Sequence, residues 1–225
     1  MPLPRPRPRP LCWFLLAGMA GYALAWIVVS LSILAMSGSA RSAQRAAAAQ
    51  RVQGVPGVHN FTHVDRHLWR GGAPTSEGYE RLSALGVRTV IDLRAERLSA
   101  ADLRAPARAG LPVVRVPVRD GQAPAQDQVA RFLSAVERSP GPVFVHCGAG
   151  VGRTGSMAAA YLVRTGQATA AEATARSLAV GPPSLEQIAF MRGLTPDRAG
   201  SPPAAVVALS RVADSPRRSW SRLGL

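Results

Sequence analysis

The chain of 225 residues contains no lysine, two cysteines and few acidic side chains. Cys12 lies inside an apolar run and Cys147 in a glycine-rich stretch, which excludes the disulfide framework that staples small secreted domains. A lone cysteine in a globular domain is either a small buried hydrophobe or a reactive thiol, and its neighbours decide which. Thirteen Asp+Glu stand against 27 Lys+Arg, a formal net charge of +14 carried by arginine. Those arginines are dispersed and aromatics make up only 5% of the chain, so there is no base-stacking basic surface and no nucleic-acid partner is expected. Abundant Ala, Gly and Pro beside the Arg also fit a GC-rich gene, which weakens charge as a functional signal. What the charge does suit is an acidic partner, a phosphorylated substrate or an anionic membrane surface.

Charge is missing altogether from Leu11 to Met36. About 20 apolar residues cross a hydrocarbon core, so 11–36 reads as one transmembrane helix that attaches the chain to a membrane. The competing reading is a secretory signal peptide with Gly38 and Ala40 near a cleavage point, although an apolar signal core usually runs only about 7–15 residues. Residues 1–10 are a Pro/Arg-rich segment that cannot fold alone. Arg5, Arg7 and Arg9 precede the span and Arg41, Arg45 and Arg51 follow it, so the positive-inside comparison leaves orientation open. Residues 37–57 read as a linker, with a helical piece in the Ala-rich part, and 196–225 as a flexible basic tail.

Between them, 58–195 alternates strand and helix signals. Strands are expected at His63–Trp69, Val87–Leu93, Pro112–Val118 and Val143–His146. Helices are expected from Thr75/Ser76 to Leu85, in the Ala/Arg stretch after Leu93, at Gln126–Arg138, around Met157–Val163, and at Ala170–Leu178 and Ser184–Met191. The implied class is α/β, a mostly parallel central sheet flanked by helices and preceded by one transmembrane helix.

The chemistry concentrates in Val143-Phe-Val-His146-Cys147-Gly148-Ala149-Gly150-Val151-Gly152-Arg153-Thr154-Gly. A buried strand runs into a glycine-rich loop and a helix starts near Arg153. Successive loop N–H groups, together with the helix N-terminus, form an anion cradle. A thiolate at Cys147 would be solvated by those donors. Arg153, six positions on, can grip two phosphate oxygens in its planar fork. Thr154 could hydrogen-bond the sulfur, and His146 could orient the loop from behind. A Walker-type loop would need Lys-Ser/Thr where this loop has Arg-Thr.

HCGAGVGRTG resembles the H-C-x5-R-[ST] signature of the protein tyrosine phosphatase superfamily, in particular its dual-specificity branch. The resemblance implies a nucleophilic Cys147, phosphate held by Gly148, Ala149, Gly150, Val151, Gly152 and Arg153, and a general acid on a loop upstream. Asp120, at a strand's C-terminal end in Asp120-Gly-Gln-Ala-Pro124, matches that acid loop. Its rival Asp127 falls inside the following helix pattern, where a first-turn or solvated role is expected. Asn60-Phe61, Asp65, Trp69-Arg70 and Pro74 look like the N-terminal hairpin of bacterial and fungal dual-specificity-like phosphatases, and Val90-Ile-Asp92-Leu-Arg94 like their "DLR" strand end. Asp92 and Arg94 read as a structural charged pair, with Arg94 at the substrate rim as the other reading. Ser184, Glu186 and Gln187 fall where the group has a helix near the site.

The chemistry so implied is phosphomonoester hydrolysis through a phosphocysteine, without metal or cofactor. His59, His63 and His67 recur every four residues, but in an extended segment that spacing scatters them. The absence of a cation within the loop leans towards phosphoproteins. Phosphoinositides or inositol phosphates are the alternative substrates, and a non-catalytic membrane-tethered phosphate-binding module is the alternative class. An active thiol favours the cytoplasmic side of the membrane.

Overall fold

The structure, a computed structural model, describes residues 10–47 and 54–214, with the side chains of the first helix described over 13–42. Residues 1–9, 48–53 and 215–225 lie outside it, as does the Cys12 side chain, so the Pro/Arg segment, part of the linker and the end of the tail are not among the described residues. The elements are α1 (Pro10–Ala47), β1 (Thr62–His63), β2 (Leu68–Gly71), α2 (Ser76–Ala84), β3 (Thr89–Arg94), α3 (Ala100–Arg108), β4 (Val113–Val118), α4 (Gln126–Glu137), β5 (Val143–His146), α5 (Gly152–Arg164), α6 (Ala170–Val180), α7 (Leu185–Arg192) and α8 (Ala204–Ala213).

One sheet runs in the order β1-β2-β5-β3-β4. β1 pairs antiparallel with β2, and every other pairing is parallel. Side chains of β5 alternate across it: Val143 and Val145 join the core with α4 and α5, while Phe144 joins the smaller core with Tyr79 and Leu82 of α2. A strand covered on both faces must be apolar throughout, which is why Val143-Phe-Val carries no polar side chain. The single strand expected at 63–69 is instead a short hairpin. Asp65 Oδ1 accepts from the N–H groups of His67 (2.8 Å) and Leu68 (2.7 Å), a side-chain turn that breaks the strand.

Caps set the helix starts. Thr75, Ser99, Thr169 and Ser184 each accept a backbone N–H from the first turn, and the last three sit in full capping boxes. α1 extends beyond the expected span, continuing through Ala47. From Trp13 to Val28 its side chains are exposed, whereas Val29, Ser30, Ile33, Met36, Ser37 and Ala40 form a covered stripe. That spacing is one helix face. It packs along α6 and touches α8, where Tyr22 also donates to the Val212 carbonyl at 3.0 Å. The tail expected from 196 is likewise ordered at its start. α8 packs on α7, with Arg211 paired to the buried Glu186 at 3.2 Å.

Candidate active site

β5 lies between β2 and β3, so its C-terminal end opens at the centre of the sheet edge where parallel α/β folds place ligands. There the chain leaves His146, passes through the loop 147–151 and enters α5 at Gly152. The loop's shape follows from where its carbonyls go. Gly148 O accepts from Ala73 N–H (2.8 Å), Ala149 O from Asn60 Nδ2 (2.9 Å), and Gly150 O and Val151 O from Arg70 Nη2 (2.8 and 3.3 Å). In a planar trans peptide the next N–H points away from the carbonyl. Four carbonyls tied back towards the β2 side therefore turn the amides of residues 149–152 to the other side. One of them, Gly150 N–H, donates to Cys147 Sγ at 3.3 Å. Gly150 has φ of +76°, and a Cβ there would overlap the Gly71–Gly72 peptide, so only glycine fits.

His146 is fully buried behind the sulfur. Its Nδ1 lies 3.2 Å from Cys147 O and its Nε2 3.2 Å from the Tyr79 hydroxyl. A neutral ring satisfies both contacts, Nδ1–H donating to the carbonyl and the phenol O–H donating to Nε2. Burial pushes the imidazole down to about 4, which keeps it neutral, and burial pushes Tyr79 up to about 12. His146 thus sets the Cys147 carbonyl without adding charge beside the thiol.

Arg153, 3% exposed in its side chain, enters from the first turn of α5. Glu96 holds it bidentately, with Nη1 to Oε2 and Nη2 to Oε1 both at 2.8 Å, and Val118 O accepts from Nη1 at 3.2 Å. Asp120 Oδ1 lies 3.2 Å from Nη2, while Nε is buried and has no hydrogen-bond partner. One edge of the fork is therefore committed to Glu96. Nε is left unpaired, and Asp120 shares Nη2 with Glu96. Burial opposes the Arg153 charge, but the Glu96 hydrogen bonds together with the charges of Cys147, Asp120 and Glu96 outweigh it and raise the guanidinium; burial likewise opposes the Glu96 charge, and Arg153 draws that carboxyl down.

The segment after Asp120 is fastened to α7. Ser184 Oγ donates to Gly121 O (2.7 Å), Gln187 Nε2 to Gln122 O (3.1 Å), and Ala123 N–H to Glu186 Oε1 (3.0 Å). Asp120 itself stays half exposed, its side chain 56% accessible. Such an arrangement can hold a tetrahedral anion among amides and one arginine, with a sulfur beneath it and a carboxylate beside it.

Residues 48–193 match the family described as a DSP-PTPase phosphatase fused to NAD+ kinase. The chain belongs to this family. It is 34% identical over 109 residues to probable NAD kinase 2, chloroplastic, of Oryza sativa subsp. japonica, a stretch covering 46% of this chain and 11% of that protein. It is 45% identical over 56 residues to the dual specificity protein phosphatase CDC14C of Homo sapiens, covering 25% of this chain and 12% of that one. The chain thus spans about a tenth of the length of these curated relatives. Among solved structures, TpbA of P. aeruginosa shares the fold at 23% identity and TM-score 0.55, over 66% of this chain and 91% of that one. The core catalytic domain of SIW14 from S. cerevisiae does so at 18% identity and TM-score 0.55, over 73% and 96%. The DSP-PTPase fold is therefore the architecture around this loop.

Within that fold, Cys147, Gly148–Gly152, Arg153 and Asp120 come together at one sheet edge, and His146 lies behind them. Thr154 is buried in the first turn of α5, but its hydroxyl has no hydrogen-bond partner and the sulfur accepts from Gly150 instead. Asp127 stands exposed in the first turn of α4. Asp92 and Arg94 form an ion pair at 3.0 Å rather than a substrate rim; burial would raise the Asp92 carboxyl, but the Arg94 hydrogen bonds outweigh it and lower it. The histidines scatter: His67 Nε2 reaches Val136 O at 3.1 Å while His63 lies edge-on to Trp69 and Phe61. Sequence reasoning missed Glu96, Tyr79 and the loop-holding roles of Asn60 and Arg70. Glu96, two residues past the "DLR" strand end, was the one within reach, since a carboxylate close to the loop is the natural partner for an arginine buried beside it.

Proposed function

We propose that this chain hydrolyses phosphomonoesters through a phosphocysteine. The observation that carries the reading is the convergence of the Cys147 sulfur, the turned loop amides, the unpaired Nε side of Arg153 and Asp120 at one point. The substrate phosphate takes the corner of Arg153 that Asp120 touches in the free protein. Cys147 Sγ attacks phosphorus, the bond to the leaving oxygen breaks, and Asp120 gives that oxygen a proton. Water then attacks the phosphocysteine, Asp120 takes a proton from it, and inorganic phosphate and the thiolate are released. Amides 149–152 and Arg153 stabilise the charge on the equatorial oxygens in both steps. No metal or cofactor is required by this sequence of events. The full chain in detergent should hydrolyse an aryl phosphate, and Cys147→Ser should remove activity by about 10⁴-fold or more. Persistence of turnover in that variant would sink the mechanism, and phosphopeptide binding without turnover would leave a phosphate-binding module.

For substrate we infer phosphoproteins. Loop positions 148–152 carry no cationic side chain for additional phosphates, and the chain has no lysine to supply one. Structures sharing the fold are named for phosphotyrosine, PI(5)P and inositol pyrophosphate complexes or activities, all below 25% identity, so they do not choose. Turnover confined to phosphoinositides in a mixed panel would replace this reading.

We also infer that α1 is retained as a membrane anchor, with 58–195 as the phosphatase domain. Cleavage near Ala40 would strip Val29, Ile33 and Met36 from α6. Residues 11–28 alone make about 27 Å of helix, close to a hydrocarbon core. The domain would then sit against the bilayer surface, on the cytoplasmic side that keeps its thiol reduced. An N-terminal tag recovered in carbonate-washed membranes at full mass checks this; a shortened soluble product refutes it.

A further inference from the structure

A second polar cavity lies behind the signature loop. It has a volume of about 480 Å³, within the usual range for small-molecule sites, and is bounded by the β1 hairpin, α5 and α6. Its wall includes Arg70, Arg176, Ser177, Asn60 and His63, and no carboxylate lines it. Arg70 is 4% exposed and Ser177 1%, yet Arg70 Nε and Ser177 Oγ are buried with no hydrogen-bond partner. Ser177 Oγ and the Nη2 end of the Arg70 guanidinium both lie against Gly155, where a Cβ would overlap Ser177 Oγ and lie 3.4 Å from Arg70 Nη2. Arg70 Nη2 is committed to Gly150 O and Val151 O, so what is left over is a guanidinium charge with no carboxylate against it and the Nε–H and Ser177 O–H donors, which an anion drawn in from the cavity satisfies. The remaining wall, from Ala158 and Leu162 to Val180, is apolar.

We propose that this cavity binds a small organic anion, its carboxylate or phosphate head on Arg70 and Ser177, with Arg176 at the rim and its apolar body against α5 and α6. The site would not be isolated from the loop. Asn60 and Arg70 line the cavity and also hold the carbonyls of Ala149, Gly150 and Val151. An anion that draws the Arg70 guanidinium towards itself alters the grip on two of those carbonyls, and with it the amides they orient. Occupancy is therefore coupled to affinity at the front of the loop. The binding claim stands apart from the proposed hydrolysis, and only the coupling rests on it.

The test titrates the full chain in detergent with benzoate and, separately, with phenylphosphonate, while excess vanadate holds the signature loop. Binding is followed by calorimetry. Saturable binding of at least one probe, weakened tenfold or more by Arg176→Glu and by Ser177→Ala at unchanged circular dichroism, is the expected result. Retention by one head group only identifies which oxyanion the site takes. No saturable binding at tens of millimolar, displacement by vanadate, or equal binding by both variants overturns the proposal. If the chain proves to hydrolyse nothing, the titration still reads the cavity. If it does hydrolyse an aryl phosphate, the bound probe should shift KM at least twofold in the parent chain and leave it unmoved in Arg176→Glu.

Discussion

Two buried arginines stand on opposite sides of one loop, and they are held in different ways. Arg153, in front, is held by carboxylates, Glu96 across one edge and Asp120 at the corner. Arg70, behind, has no carboxylate; its hydrogen bonds go to the carbonyls of Gly150 and Val151. Burial accordingly lowers Arg70 to about 10, opposed only by the charge of Cys147, whereas at Arg153 burial is outweighed by Glu96, Cys147 and Asp120 together, which keep it above its ordinary value. The front arginine can exchange one anion for another at little cost. The back arginine shapes the backbone, and losing it strands the Gly150 carbonyl.

This contrast can be broken by substitution. Arg153→Lys keeps the charge but loses the fork, so turnover of an aryl phosphate should drop about 10³-fold while the melting temperature moves little. Arg70→Met should act the other way round, costing roughly 2 kcal/mol of stability because the Gly150 carbonyl loses its Arg70 donor, whereas Val151 O keeps the Gly155 N–H. Equal effects of the two on melting temperature would erase the distinction. His146 sharpens it through pH. Its folded value of about 4 lies below an unfolded value of 6.5, so the unfolded chain takes the proton first as pH falls. Stability present above 6.5 should therefore be lost on acidification, by about 2 kcal/mol at pH 5, and the loss should level off below 4. Melting temperatures against pH for the parent and for His146→Gln check this, since the variant should lack that slope. The smallest effect is expected from Glu96→Gln, where Arg153 keeps Val118 and Asp120. Less than a tenfold loss in kcat/KM, with KM the more affected term, is the outcome to measure.

Much of this was legible in the sequence because local rules and the fold agree there. The apolar Val143-Phe-Val, the glycines after Cys147 and the capping residues Thr75, Thr169 and Ser184 each set their own element, so the parallel sheet and the loop could be read in order. What escaped was whatever depends on distant packing. Asn60 and Arg70 reach the loop across 80 or more positions, and no spacing rule links them to it. The turn at Asp65 looked like strand because its alternation is sound and only a side-chain hydrogen bond breaks it. The ordered α8 was hidden by a Pro/Ala/Arg composition typical of loose tails, although Glu186 anchors it through Arg211. The apolar run of α1 read uniformly because hydropathy does not separate its exposed residues from the covered Val29–Ala40 stripe.

The close approach of Gly150 to the Gly71–Gly72 peptide, which leaves no room for a Cβ, has a consequence for the order of assembly. The loop can take its shape only once β2 lies beside β5, a closure spanning most of the domain. Non-local closures of this kind form late, after local helices and turns. A nascent chain accordingly carries Cys147 without its ring of amides until the sheet is complete, and the cradle appears together with the finished fold. Any oxyanion that occupies the cradle then favours the folded chain by mass action, so phosphate in the surroundings should slow the unfolding of this protein.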